Sequence, residues 1–108
     1  MDNFQATGQT ITFTAAVAAN GKVNSKPGAR DYLISNRTGA WAFIGFGPTE
    51  LAAEAAAVPS AVDGGLSDAL PVAPFSSVIL AANGPTAYIA VSLEVGTGVV
   101  LVTPGDGS

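Results

Sequence analysis

The sequence predicts an all-β protein: an antiparallel β-sandwich, jelly-roll-like, with a short Ala-rich excursion in its middle. Three observations carry this expectation. Thr10 to Val17 alternates between apolar and threonine side chains, the period of a strand with one wet face. Clusters of Gly, Pro and Asn recur roughly every eight to twelve residues, which divides the chain into short strands. At 108 residues the chain holds one modest core, so residues 1–108 read as one domain of about six to eight strands.

The elements follow in order. An arm over residues 1–8 is expected to be flexible. In the first long strand Ile11, Phe13, Ala15 and Val17 share a face. Asn20-Gly21 offers the residues that a tight turn with positive φ prefers, and Lys22 to Gly28 reads as an exposed loop. Arg30 to Ser35 is a second strand, and Asn36-Arg37-Thr38-Gly39 a turn. From Ala40 to Gly47 no side chain is polar. The odd positions carry Trp41, Phe43 and two glycines, the even ones Ala40, Ala42, Ile44 and Phe46. Both faces of this strand therefore need cover: one from the facing sheet, the other from a neighbouring molecule or from residues 48–70 folding back.

Thr49 is placed to cap a short helix over Glu50 to Ala57, which Pro59 would stop. The alternative is an extended excursion, because one or two turns of alanine bury little. Asp63-Gly64-Gly65 is a loop. Phe75 to Ala82, Thr86 to Leu93 and Val99 to Thr103 are the remaining strands, separated by Asn83-Gly84-Pro85 and Glu94 to Gly98. The tail at 104–108 is not expected to pair.

Charged residues are 11% of the chain, against roughly 25% in an average soluble domain. A surface so poor in charge fits a protein held in a fixed assembly. The net charge is −4, and all four cations, Lys22, Lys26, Arg30 and Arg37, precede residue 38. Four cations in an acidic chain argue against nucleic acid as a partner. No apolar run approaches the ~20 residues of a membrane span, and Met1 to Gln5 lacks the basic residues of a secretory leader. Synthesis in the cytoplasm without a membrane partner is expected.

The chain has no cysteine and no histidine, which removes thiol and imidazole chemistry from consideration. Glu50 and Glu54 have the spacing of one helix face and read as solvated side chains. Asp63 with Asp68 lacks the oxygen density of a calcium loop, and Gly45-Phe46-Gly47-Pro48 lacks the lysine of a phosphate loop. No enzyme activity, metal or cofactor is expected. Trp41 and Phe43 either fill the core or form a platform for another protein or a sugar.

The succession "YLISNRTGAWAFIGFG", "ALPVAPFSSVIL" and "AYIAVSLEVGTGVVLVTPGDGS" resembles small tailed-bacteriophage virion proteins. In these an Asn-Xaa-Thr turn precedes an aromatic strand, a Met-Pro turn containing glycine follows, and the closing strand ends in Pro-Gly. The resemblance spans residues 32–47 and 69–107, with Leu70 in place of the usual methionine and Asp106 in place of glutamate. Phe75 replaces part of the glycine-containing turn. The resemblance implies a capsid decoration or cement protein that stabilises the phage head lattice in the virion. Its partners would be the major capsid protein and copies of itself as a homo-oligomer. Candidate interface residues are Trp41, Phe43 and Phe46 on the apolar strand, with Lys22, Lys26, Arg30 and Arg37 docking on an acidic surface. The alternatives are a structural joint of the tail or neck, or a carbohydrate-binding tip domain of a fibre in which Trp41 or Tyr88 stacks on a sugar.

Overall fold

The computed structural model describes residues 5–6, 8–24, 29, 31–59, 63–64, 69–81 and 87–106. In chain order these form β1 (Gln5–Ala6), β2 (Ile11–Ala16), β3 (Asn20–Val23), β4 (Asp31–Asn36), β5 (Ala42–Gly47), α1 (Glu50–Ala56), β6 (Leu70–Val72), β7 (Ser76–Ala81), β8 (Tyr88–Leu93) and β9 (Thr97–Asp106). One sheet runs β2-β9-β4-β7, with β1 continuing along β9 beside β2, and the other runs β3-β8-β5-β6. Every pairing is antiparallel. From β2 onward, successive strands change sheet at each connection except β5 to β6, so the fold is a β-sandwich with the winding of a jelly roll.

Alternation along the strands builds the core. The first sheet turns Phe13, Ala15, Tyr32, Ile34, Val100 and Val102 inward, and the second meets them with Ala42, Ile44, Val72, Ile89, Val91 and Leu93. Tyr32 is buried whole because its hydroxyl accepts from Asn24 Nδ2 at 2.7 Å, which removes the cost of an unpartnered phenol.

The even face of β5 lies in this core, and α1 covers half of the odd face. A Cβ at Gly45 would stand 2.5 Å from the Ala53 carbonyl oxygen, and one at Gly47 would stand 2.7 Å from the Ala53 nitrogen. Only bare backbone lets the helix sit so close to the strand. Ala53, Ala57 and Ala90 form a small buried cluster between them. A seven-residue helix is unstable alone, and three hydrogen bonds tie this one down. Thr49 Oγ1 accepts from Ala52 N at 3.1 Å, Glu54 Oε2 accepts from Gly21 N at 3.0 Å, and Ser92 Oγ donates to the Ala57 carbonyl at 2.7 Å. Residues 49–57 thus fold back onto β5 as a capped helix and not as an extended excursion, and the rest of the 48–70 stretch lies partly outside the described residues.

Three local expectations are corrected. Asn20-Gly21 is not a turn: it opens β3, so Lys22 and Val23 lie on a strand. Gly21 is there for proximity, since a Cβ would come 2.9 Å from Glu50 Cγ. Val17 does not continue the core face but projects beyond the end of β2, largely exposed. Pro104, Gly105 and Asp106 do pair, opposite β4 and β1. Proline is admissible here because the Pro104 carbonyl accepts from Gly8 at 3.3 Å. In an antiparallel strand a residue's nitrogen points to the same side as its carbonyl, so the missing N–H falls at the gap between β1 and β2, where no ladder bond is lost. The turn expected at Asn83-Gly84-Pro85 lies outside the described residues.

Gly45→Ala is expected to lower unfolding stability by about 1–3 kcal/mol, because the methyl meets helix backbone that has no rotamer to yield. Gly39→Ala, whose nearest neighbours are ring atoms of Phe75 at 3.6 Å, should change it far less. Urea denaturation of the two variants checks the contrast.

Candidate functional site

The jelly-roll winding brings four connections to one end of the sandwich: residues 17–19, 37–41, 73–75 and 94–96. Asn36, buried at the end of β4, ties the second and third of them together. Its side-chain nitrogen lies 2.8 Å from the Ala40 carbonyl, 3.2 Å from that of Val72 and 3.1 Å from that of Ala73. Its oxygen accepts from Thr38 N at 3.0 Å and from Thr38 Oγ1 at 2.7 Å. Further bonds lock neighbouring loops: Phe75 N to the Thr38 carbonyl at 3.1 Å, Glu94 N to the Trp41 carbonyl at 2.9 Å, and Arg37 N to the Val99 carbonyl at 3.1 Å. The Asn-Xaa-Thr turn is thus a structural hub whose buried polar groups are satisfied.

Each of the four connections presents one exposed large apolar side chain: Val17, Trp41, Phe75 and Val95, at 60%, 43%, 76% and 63% exposure. Phe75 is also the one described residue other than glycine with a positive φ, at 51°. Pro74 at the second position of a turn and a positive φ at the third is a pattern that favours glycine or asparagine there. A bulky side chain in this region costs roughly 1–2 kcal/mol, and an exposed ring recovers little of it by burial.

Two grooves flank this end. On the outer face of the second sheet, beside the C-terminal end of α1, Phe43 and Ser92 line a depression of about 230 Å³ with Val17, Val58, Pro59 and Glu94. At the edge of the first sheet, Ser35, Arg37, Phe75, Ser76 and Ser77 line one of about 340 Å³.

The candidate residues fall in different places. Trp41 is exposed in the connection just before β5, and Phe43 is half-buried on the outer face of β5, in the part that α1 leaves open. Phe46 turns inward, its ring centroid 5.0 Å from that of Tyr32. Tyr88 packs against the alanine cluster beneath α1. Lys22 Nζ lies 6.0 Å from the centre of the Phe13 ring on edge strand β3, whereas Arg37 lies toward β7, the opposite flank. These two cations are not brought together, and Lys26 and Arg30 lie outside the described residues. Phe75 was missed by sequence reasoning, although its place in an expected glycine-containing turn was the available signal.

No family model, curated protein or solved structure matches the chain.

Phe46→Ala is expected to destabilise the domain by about 3 kcal/mol, the lower part of the range for aromatic truncation, because the ring is only partly enclosed. Trp41→Ala should leave the unfolding midpoint nearly unchanged. Paired thermal and urea melts measure both, and a large loss in the Trp41 variant would place that ring among the core residues.

Proposed function

We propose that the protein is a non-enzymatic structural component of a tailed-phage virion, a capsid decoration or cement protein that stabilises the head lattice. Its partners are the major capsid protein and further copies of itself. The observation that carries this reading is the loop end, where four connections each hold out an apolar side chain over a hydrogen-bonded base. Such a surface loses little conformational freedom when it docks, which favours binding. The jelly roll is also a fold of viral capsid domains, an analogy of fold that agrees with this reading. The motif resemblance points the same way, and the scarcity of charge fits a surface that spends its life against neighbours.

In this reading Trp41 and the groove around Phe43 make the principal contact, and Phe46 supports the strand from within. Small contact energies suffice because a lattice presents many sites at once.

The test is cosedimentation of the purified protein with particles that lack it, followed by a stained gel for copy number. Tens to hundreds of copies per particle are expected. A count of about three, six or twelve would place the protein in the tail or neck instead. Trp41→Ala should keep its fold and lose at least tenfold in particle binding, and undiminished binding by this variant would move the contact elsewhere on the surface.

A further inference from the structure

We propose that the groove between β4 and β7 at the loop end is a saccharide site, and that the sugar it takes carries a carboxylate, as a uronic acid does. The proposal goes beyond the virion reading: it shares Phe75 with the loop end that reading uses, but its groove lies on the other sheet from the one around Phe43.

Phe75 is the first argument. Its backbone is held at φ 51° with the ring 76% exposed, so neither local conformation nor burial accounts for an aromatic residue at this position. Strain of this kind is found where a side chain has work to do outside the fold. The ring edge rests beside Gly39, where a Cβ would be 3.6 Å from two ring atoms. An exposed flat ring on a fixed backbone suits the apolar C–H face of a pyranose.

The hydroxyls are the second. Ser35 and Ser77 are directly opposed cross-strand partners, and their oxygens lie 3.0 Å apart on the open side of the sheet. Each hydroxyl offers one donor and two acceptor positions, and the bond between them uses one donor and one acceptor. The remaining capacity faces the groove, as a pair matched to adjacent hydroxyls on a sugar ring. Ser76 plays a different part, since its hydroxyl donates to the Ala73 carbonyl at 2.7 Å and braces the turn that carries Phe75.

Arg37 decides the charge. It is exposed on the groove wall while its backbone is fixed by the bond to Val99, and among the described residues no carboxylate lines the groove. Guanidinium groups recognise carboxylates through paired hydrogen bonds. The cavity of about 340 Å³ falls at the small end of the range for ligand sites. One ring face, two hydroxyls and one cation, without a deep apolar pocket, fit an acidic sugar better than the side chains of a peptide.

The experiment titrates the full chain with tetrasaccharides of galacturonate, glucuronate and mannuronate, with their methyl esters, and with tetraglutamate. Backbone amide shifts and calorimetry provide the readouts. At least one uronate should shift amides within 35–39 and 75–77 and bind at least tenfold more tightly than its ester. Phe75→Gly should lose at least tenfold in that affinity while its melting temperature holds or rises, since glycine relieves the positive φ. Phe75→Asn, which also tolerates that conformation, serves if the glycine variant folds poorly. Arg37→Gln should bind acid and ester alike. The proposal is overturned if no uronate shifts these amides at millimolar concentration, if the Phe75 variants bind undiminished, or if tetraglutamate binds more tightly than every sugar.

Discussion

The buried side chain of Asn36 is the interaction on which the loop end depends. It stands on β4 of one sheet and reaches the carbonyl of Val72 on β6 of the other, so a single amide spans the sandwich where the inward-facing apolar layers run out. A carboxamide suits the place because it donates and accepts in one plane. An aspartate would turn a carboxylate toward the three carbonyl oxygens that the nitrogen now meets, and an alanine would leave them unpartnered in a dry site. Apolar packing joins the sheets through their middle, and this polar node fixes the 37–41 and 73–75 loops to each other at the end.

A second constraint acts on the opposite face of β5. Helix α1 approaches so closely that side chains are excluded, and the contact is built from Gly45, Gly47, Ala53, Ala57 and Ala90. Such a seam buries little area per residue, so its stability leans on the bonds from Glu54 to β3 and from Ser92 on β8 to the helix end. The helix covers the glycine half of the strand and stops before Phe43 and Trp41. The division between covered and uncovered aromatic surface on β5 is thus set by where glycine ends.

Much of this architecture was legible in the sequence, for identifiable reasons. Strict alternation in β2, the two apolar faces of β5 and the Thr49 cap each follow from local rules, and all three hold in the structure. The failures share a cause. Asn20-Gly21 has the composition of a turn, yet Gly21 serves a helix that arrives some thirty residues later in the chain. Pro104 has the composition of a free tail, yet its place opposite a break between two strands makes it harmless. Glycine and proline report what the backbone can tolerate, and tertiary structure decides which tolerance is used. The candidate site was legible only in part: Trp41 and Phe43 could be named as aromatic, but their outward face depended on register, and the inward turn of Phe46 toward Tyr32 became visible only with the partner sheet in place.

Phe75 depends on the Asn36 node. A residue kept at positive φ persists only if its surroundings over-determine the conformation, and here they do. Its amide is bonded to Thr38, the hydroxyl of Thr38 is bonded to Asn36, and the next residue braces the turn through Ser76 and Ala73. The stability that Asn36 lends to the loop end is therefore what allows an unfavourable backbone beside it. A looser end would let the turn relax and the ring fold down onto the sheet. Rigidity in the buried node and strain in the exposed ring are thus two sides of one arrangement, and the chemistry this end of the molecule offers to a partner depends on both.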